Sequence, residues 1–429
     1  MQSDRTPNPH LHELAKVYGP VQFEAVDAAA GRFVVRNRHN FIDLGRFDFD
    51  WQLREDGRLV AQGRGPALST PADGQETVQF TLPPVQRKPG AEYFLTLRAL
   101  ARDGAVPLVP AGQVVSWEQF ALSPPPVLPP APTSGNAVAM SETAGEIRLR
   151  AAGAELVVDR GTGQVARYAY QGQALLSGGT PNFWRAPTDN DIGTGLYASH
   201  LVWKTLSETR RVRGVQASRS QDGGARVQVG FDIGGDATPD VQYDVTYEMA
   251  RDGSVTVTGD FRPLYAGLPD PLRLGLMFTA PSRMTELSWY GRGPHETYAD
   301  RYTSGEIALY SGRIAEQNHD YIRPQETGNK VDVRWLAVAP ANGTGLKITG
   351  AEPLSVNALA FPYSDLDRKP VGQAHSSDIR PREHVSLMID QRQIGVAATT
   401  NGAAGASRTR PTASRCRPRG IGSACSRSW

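Results

Sequence analysis

At 429 residues, with 44 glycines, 32 prolines and 39% hydrophobic side chains, the chain has material for two or three domains and is too apolar to stay disordered. Its net charge of +2 hides an asymmetry: six of the 46 basic residues and no acid fall in residues 401–429, so the preceding body is mildly acidic and no nucleic-acid partner is expected for it. Both cysteines, Cys416 and Cys425, lie in that tail without a histidine beside them, which argues against a disulfide scaffold and a zinc site.

The start, Met1-Gln-Ser-Asp-Arg-Thr, lacks a signal peptide's apolar core, and no run of about eighteen apolar residues follows. A cytoplasmic protein with no membrane partner is therefore the expectation. His12–Tyr18 should make a turn or two of helix, and little else in the sequence has helical period. His10 and His12, two apart on a terminal segment, are a weak metal signal, and no metal site is assigned.

Strand signals then dominate. Arg32–Asn37 and Phe47–Leu53 alternate with period two, as half-buried strands do. Glu55-Asp-Gly57 reads as a turn into Arg58–Gln62, and Thr77–Leu82, Glu92–Leu97 and Trp117–Phe120 continue the pattern. Together they predict a small β-sandwich over residues 1–122. Ser123-Pro-Pro-Pro-Val-Leu-Pro-Pro-Ala-Pro132 predicts an extended linker over 123–139, since proline cannot donate to a ladder. From 140 the strand-and-turn rhythm resumes, including Glu155–Asp159, Val165–Tyr168, Ser254–Thr258, Leu272–Phe278, Asp332–Val338 and Gly345–Thr349. A run to 396 without an internal linker predicts one large antiparallel sandwich, so the fold class is all-β.

Three loop clusters carry candidate chemistry. The first, Asn182-Phe-Trp-Arg-Ala-Pro-Thr-Asp-Asn-Asp-Ile-Gly193, places Arg185, Asp189, Asn190 and Asp191 around a turn. Its carboxylates can pin the loop through Asx-type hydrogen bonds or receive a sugar hydroxyl, and the residues alone favour pinning. The second, Trp289–Arg301, crowds Arg292, His295, Glu296, Asp300 and Arg301 around glycines and a proline. The third, Tyr321–Asn329, precedes the strand that holds Arg334 and Trp335. Aromatic, Arg and carboxylate groups at this density suit a sugar ring and its hydroxyls, or a buried ion-pair network. Glu296 with Asp300 or Glu326 could in principle form the carboxylate pair that glycosidic hydrolysis needs, and sequence distance does not decide it.

The order and spacing of these clusters resemble those of the large β-galactosidases of glycoside hydrolase family 2. The resemblance covers residues 3–396, with Ser3-Asp-Arg-Thr-Pro-Asn-Pro-His10 similar to the exit from that family's catalytic barrel. It implies an immunoglobulin-like β-sandwich over 1–122, then a supersandwich of galactose-mutarotase-like type over 140–396. It also implies the non-catalytic C-terminal part of an enzyme that hydrolyses terminal non-reducing β-D-galactose residues in β-galactosides. The catalytic glutamates of such enzymes lie on barrel strands absent here, so no residue inherits their role and the chain alone is expected to be inactive.

By the same resemblance the partners are a barrel, on the same parent chain or a separate large subunit, and a β-galactoside, with a homo-oligomer when intact. The chain itself needs no cofactor; magnesium and sodium would belong to barrel-side ligands. Arg185, Asp189, Asn190, Asp191, Gly193, Arg292, His295, Glu296 and Arg334 become candidates for binding sugar or closing the site. Gly193-Thr-Gly195 fits a hinge, because glycine tolerates large backbone excursions. A stand-alone carbohydrate-binding module is the alternative; an epimerase-like enzyme using His295 and Glu296 is a weaker one.

The sequence departs from the family after Val396. A Gly-Gly-Asp-Asp-like segment with a tryptophan is expected there, whereas the chain reads Ala397-Ala-Thr-Thr-Asn-Gly402 and then an Arg-rich tail. Back-translation with one base restored spells Gly-Gly-Asp-Asp-x-Trp. Residues 397–429 are therefore expected to be an aberrant, out-of-frame tail.

Overall fold

The alternation Phe47-Asp-Phe-Asp-Trp-Gln-Leu53 does form a strand, with Phe47, Phe49, Trp51 and Leu53 buried on one face. The computed structural model describes residues 2, 5–84, 87–125, 135–235, 238–367 and 373–396, together with the backbone of 415–416 and 421–422. Most of the expected linker and the tail thus lie outside the described residues. The chain divides into two units, the first formed by Met1–Val127 with Arg292–Pro294 and Tyr302–Leu309, the second by the remainder.

The first unit begins with α1 (His10–Val17) and continues through β1 (Val21–Asp27), β2 (Arg32–Asn37), β3 (Phe47–Glu55), β4 (Arg58–Arg64), β5 (Gln75–Gln79), β6 (Tyr93–Ala101) and β7 (Val114–Ala121). β1-β2-β5 and β4-β3-β6-β7 form its two antiparallel sheets. Phe33, Val35, Phe80, Leu95 and Leu97 join the β3 aromatics in one core. Each large side chain buried there contributes about 1.5–3 kcal/mol. The β3–β4 hairpin turns at Asp56 (φ 47°) and Gly57 (φ 79°), the paired left-handed residues that match a hairpin's twist. Tyr302–Leu309 belongs to this unit by hydrogen bonds unreadable in the sequence: Gln119 bonds the Ile307 amide (2.8 Å) and carbonyl (3.1 Å).

In the second unit, β8 (Ala139–Glu142), β9 (Glu146–Ala151), β10 (Ala154–Asp159), β11 (Val165–Tyr170) and β12 (Gln173–Asn182) form a meander. Helices α2 (Asp189–Gly193) and α3 (Leu196–Glu208) follow, then β13 (Arg210–Arg219), β14 (Ala225–Ile233), β15 (Val241–Met249) and β16 (Val255–Pro263), a second meander. Next come β17 (Arg273–Pro281), β18 (Glu286–Gly293), β19 (Glu306–Arg313), β20 (Lys330–Ala339), β21 (Leu346–Leu359) and β22 (His384–Gln393), of which the end of β18 from Arg292 and the start of β19 up to Leu309 are counted with the first unit. Pairing in the order β12-β17-β22-β21-β20-β18 extends the first meander into one long antiparallel sheet. Val227, Val229, Phe231, Tyr243 and Tyr247 from β13–β16 share a core with Leu156, Leu176, Leu274, Leu276 and Phe278 from the long sheet. The result is an all-β, sandwich-like arrangement, as the patterning predicts. The backbone of Arg415–Cys416 and Ile421–Gly422 pairs with β16 and, at Ile421–Gly422, with β21.

The 13-residue helix α3 departs from the expectation of few helices. Leu196-Tyr-Ala-Ser-His-Leu-Val-Trp-Lys-Thr-Leu-Ser-Glu208 has no proline or internal glycine, and its buried Trp203 and Leu206 lie three apart on one face. Surrounded by strands, that single face was too short a stripe to stand out.

Candidate functional site

The first loop cluster is a strap that leaves β12 and crosses the core. Phe183 packs against Trp203, Tyr243 and Phe261 with ring centres 5.3–5.7 Å apart, and the Trp184 indole donates to Asp367 at 2.9 Å. Arg185, fully buried, grips both oxygens of Asp191 (2.6 and 3.0 Å) and donates to the Gly395 carbonyl at 2.8 Å. Asp191 also accepts the Thr188 amide at 2.7 Å, while the Thr188 hydroxyl accepts the Asp191 amide, a capping box that starts α2. Through these contacts Arg185 and Asp191 pin the loop.

Asp189 and Asn190 are instead exposed. Asp189 pairs with Arg323 (2.7 Å), and its backbone amide donates to the Gln325 side-chain oxygen (3.0 Å), which joins the strap to the third cluster. The Asn190 amide donates to the Val396 carbonyl at 3.0 Å. Gly193 ends α2 in open space, and its backbone needs no glycine; Gly195 (φ 77°) holds the left-handed turn at the start of α3. The residue that requires glycine in the expected hinge is therefore Gly195.

In the second cluster Glu296 is buried and saturated. Arg301 and Tyr321 donate to Oε1, each at 2.6 Å, and Thr327 (3.1 Å) and the Gly328 amide (2.8 Å) donate to Oε2. Burial pushes this carboxyl up, but Arg301, the Gly328 amide and Tyr321 outweigh it and hold it below the usual range. An ionised carboxylate with every lone pair engaged is a poor general base, which weakens the epimerase-like reading. His295 beside it is half-buried. Arg292 turns away to the carbonyls of Tyr302 (3.2 Å) and Gly305 (2.9 Å) and stacks on the Tyr302 ring. Arg334 donates to the Asp332 carbonyl at 2.6 Å and lies over Tyr290. Asp300, exposed, accepts the Val396 amide at 3.1 Å.

The structure also assembles a polar cluster that the sequence did not reveal. Arg273, at the start of β17, donates to Asp390 (2.9 Å), Asn357 (2.8 Å) and Gln393 (2.6 Å). Glu326 accepts Asn357 (3.0 Å) and the Tyr363 hydroxyl, and that hydroxyl accepts the Ala186 amide at 2.7 Å. Nearby Lys330 is buried with its ammonium on the Gly328 carbonyl (3.1 Å) and over the Trp289 ring; desolvation pushes its pKa down to about 8. The available signal was a charge set within an apolar strand pattern, at Arg273 in Leu272–Phe278 and at Asp390 after Leu387-Met-Ile389.

The strap and the 321–329 loop thus meet through Asp189–Arg323 and Ala186–Tyr363–Glu326, and the 294–301 loop joins them through Glu296. Among the described residues no group of three or more His, Cys, Asp or Glu is placed to hold a metal.

Residues 150–413 match the model of the family described as Beta galactosidase small chain, and residues 33–123 match Beta-galactosidase, domain 4. The chain belongs to the β-galactosidase small chain family. A β-galactosidase of Priestia megaterium is 31% identical over 395 residues, covering 92% of this chain and 37% of that protein. Those of Arthrobacter sp. and Vibrio cholerae are 27% and 28% identical, covering 93% and 92% of this chain and 40% and 37% of the relatives. The chain therefore spans well under half the length of the relatives it matches. In family terms, the clusters described above lie within the small-chain match, and the first unit's sandwich contains the domain 4 match.

Proposed function

We propose that this chain is the non-catalytic part of a β-galactosidase, supporting and closing an active site whose catalytic glutamates are supplied by a barrel. The observation that carries this reading is the fate of the loop carboxylates. Asp191, Glu296 and Glu326 are buried and bound to Arg, Tyr, Asn or backbone donors, so they hold three loops in fixed relation and are not positioned to meet substrate. The exposed Asp189 and Asn190 are left at the rim for a β-galactoside hydroxyl or a partner surface.

The test is complementation. The purified chain is mixed with the barrel-containing remainder of the Priestia megaterium enzyme, and hydrolysis of o-nitrophenyl β-D-galactoside is followed. The expected result is no turnover by either part alone and measurable turnover by the mixture. Turnover by this chain alone would overturn the proposal, and so would a mixture that stays inactive while the two parts form a stable complex.

A further inference from the structure

Helix α1 sits on the first unit inside out. A surface helix ordinarily turns its apolar stripe to the core and its charges to water. In His10-Leu-His-Glu-Leu-Ala-Lys-Val17 and the capping Tyr18, the residues Leu11, Leu14, Ala15 and Tyr18 follow the spacing i, i+3, i+4, i+7 and share one face. Glu13 and Lys16, three apart, fall on the opposite face, and it is this polar face that meets the protein. Lys16, with 11% of its side chain exposed, donates to the Trp117 carbonyl (2.6 Å), pairs with Glu118 (2.5 Å) and lies over the Trp117 ring. Glu13 accepts the amides of Thr303 (3.1 Å) and Ser304 (2.9 Å), which belong to the same unit. The apolar face is left outside: no residue of α1 is buried, and Leu14, Val17 and Tyr18 are 45%, 61% and 79% exposed.

Single exposed apolar side chains, such as Phe41 in the loop before β3, are ordinary on a protein surface. A stripe on an anchored helix is different. Eight residues are too few for a helix to persist on propensity alone, and α1 has no side-chain cap at its start. Its polar contacts therefore hold it in the one orientation that shows the stripe to solvent. On the reading that this chain serves a barrel, we propose that the stripe of Leu11, Leu14, Ala15 and Tyr18 docks against an apolar surface of the barrel-bearing part of a β-galactosidase. The lengths of the relatives point to that occupant. Matches that cover 92–93% of this chain cover only 37–40% of the relatives, so more than half of each relative has no counterpart here to cover the helix. Leu14 and Tyr18, one turn apart at the centre of the stripe, are the anchors of this helix-in-groove contact.

The test titrates the full chain with the barrel-containing remainder of the Priestia megaterium enzyme and measures Kd, together with turnover of o-nitrophenyl β-D-galactoside. Wild type is compared with Leu14→Asp/Tyr18→Asp and with Phe41→Asp, which puts the same charge on an exposed apolar side chain away from α1. Because aspartate near a helix C-terminus is itself unfavourable, Leu14→Lys/Tyr18→Lys is measured beside them. Both double variants should weaken the complex by about tenfold or more, with the thermal midpoint of the chain alone unchanged. Phe41→Asp should bind as wild type does, and exchange of the α1 amides should slow when the wild-type complex forms. A wild-type complex that both double variants form equally well overturns the docking surface and leaves the proposed function standing. Equal weakening by Phe41→Asp also overturns it. Absence of any wild-type complex overturns both. A self-association of the chain that the double variants abolish, with the barrel complex unaffected, assigns the stripe to a second copy and overturns the proposal.

Discussion

Arg185 and Asp191, six residues apart, form a two-pronged ion pair (2.6 and 3.0 Å) with 0% and 6% of their side chains exposed. The pair closes the strap on itself, and the third contact of Arg185, to the Gly395 carbonyl, ties the strap to the chain leaving β22. Asn190 and Asp300 hold the next residue, Val396, by its carbonyl and amide.

Removing one partner of this pair should be costly, because it leaves a buried charge uncompensated. Asp191→Asn is expected to destabilise the second unit by about 3–5 kcal/mol. Urea unfolding of wild type, Asp191→Asn, Arg185→Met and the double variant checks this. The double variant should lose less than the sum of the singles, and additive losses would mean that the pair is not coupled.

Glu296 predicts an acid-side effect. Its folded pKa is depressed, despite burial, by Arg301, the Gly328 amide and Tyr321, so its stabilisation is present above the unfolded value of about 4.3 and is lost as pH falls through the folded value. Glu296→Gln should lower the urea midpoint at pH 7, and the gap to wild type should narrow progressively below about pH 4.3. A gap that stays constant down to pH 3 would show that Glu296 is not held ionised.

Lys330 predicts the opposite limb. Its pKa falls from 10.5 to about 8 on folding because the ammonium is desolvated. A depressed lysine pKa penalises the folded state below pH 8, and the penalty is relieved as pH rises from about 8 towards the unfolded value. Lys330→Met should therefore be most favourable relative to wild type at pH 7, with the difference shifting towards wild type between pH 8 and 10. Thermal midpoints across that range would show it, and a flat difference would mean that the ammonium is solvated.

The local sequence determined the strands, the Asp56-Gly57 hairpin and the polar strap. Each rests on short-range rules: period-two burial in β3, left-handed residues at a tight turn, and Arg185 and Asp191 close enough in sequence to pair. Helix α3 escaped notice because its apolar stripe is short and is completed only by Phe183 and Phe261 packing against Trp203. The buried charge cluster was beyond local reading altogether. Arg273 is 117 positions from Asp390 and 84 from Asn357, and adjacent strands of one sheet bring them together. Glu296 and Glu326 were legible as carboxylates in special loops, but whether each met solvent or buried donors depended on where those loops landed. Tertiary structure decided that, because burial and partner geometry determine a carboxylate's chemistry and neither is a property of sequence neighbours.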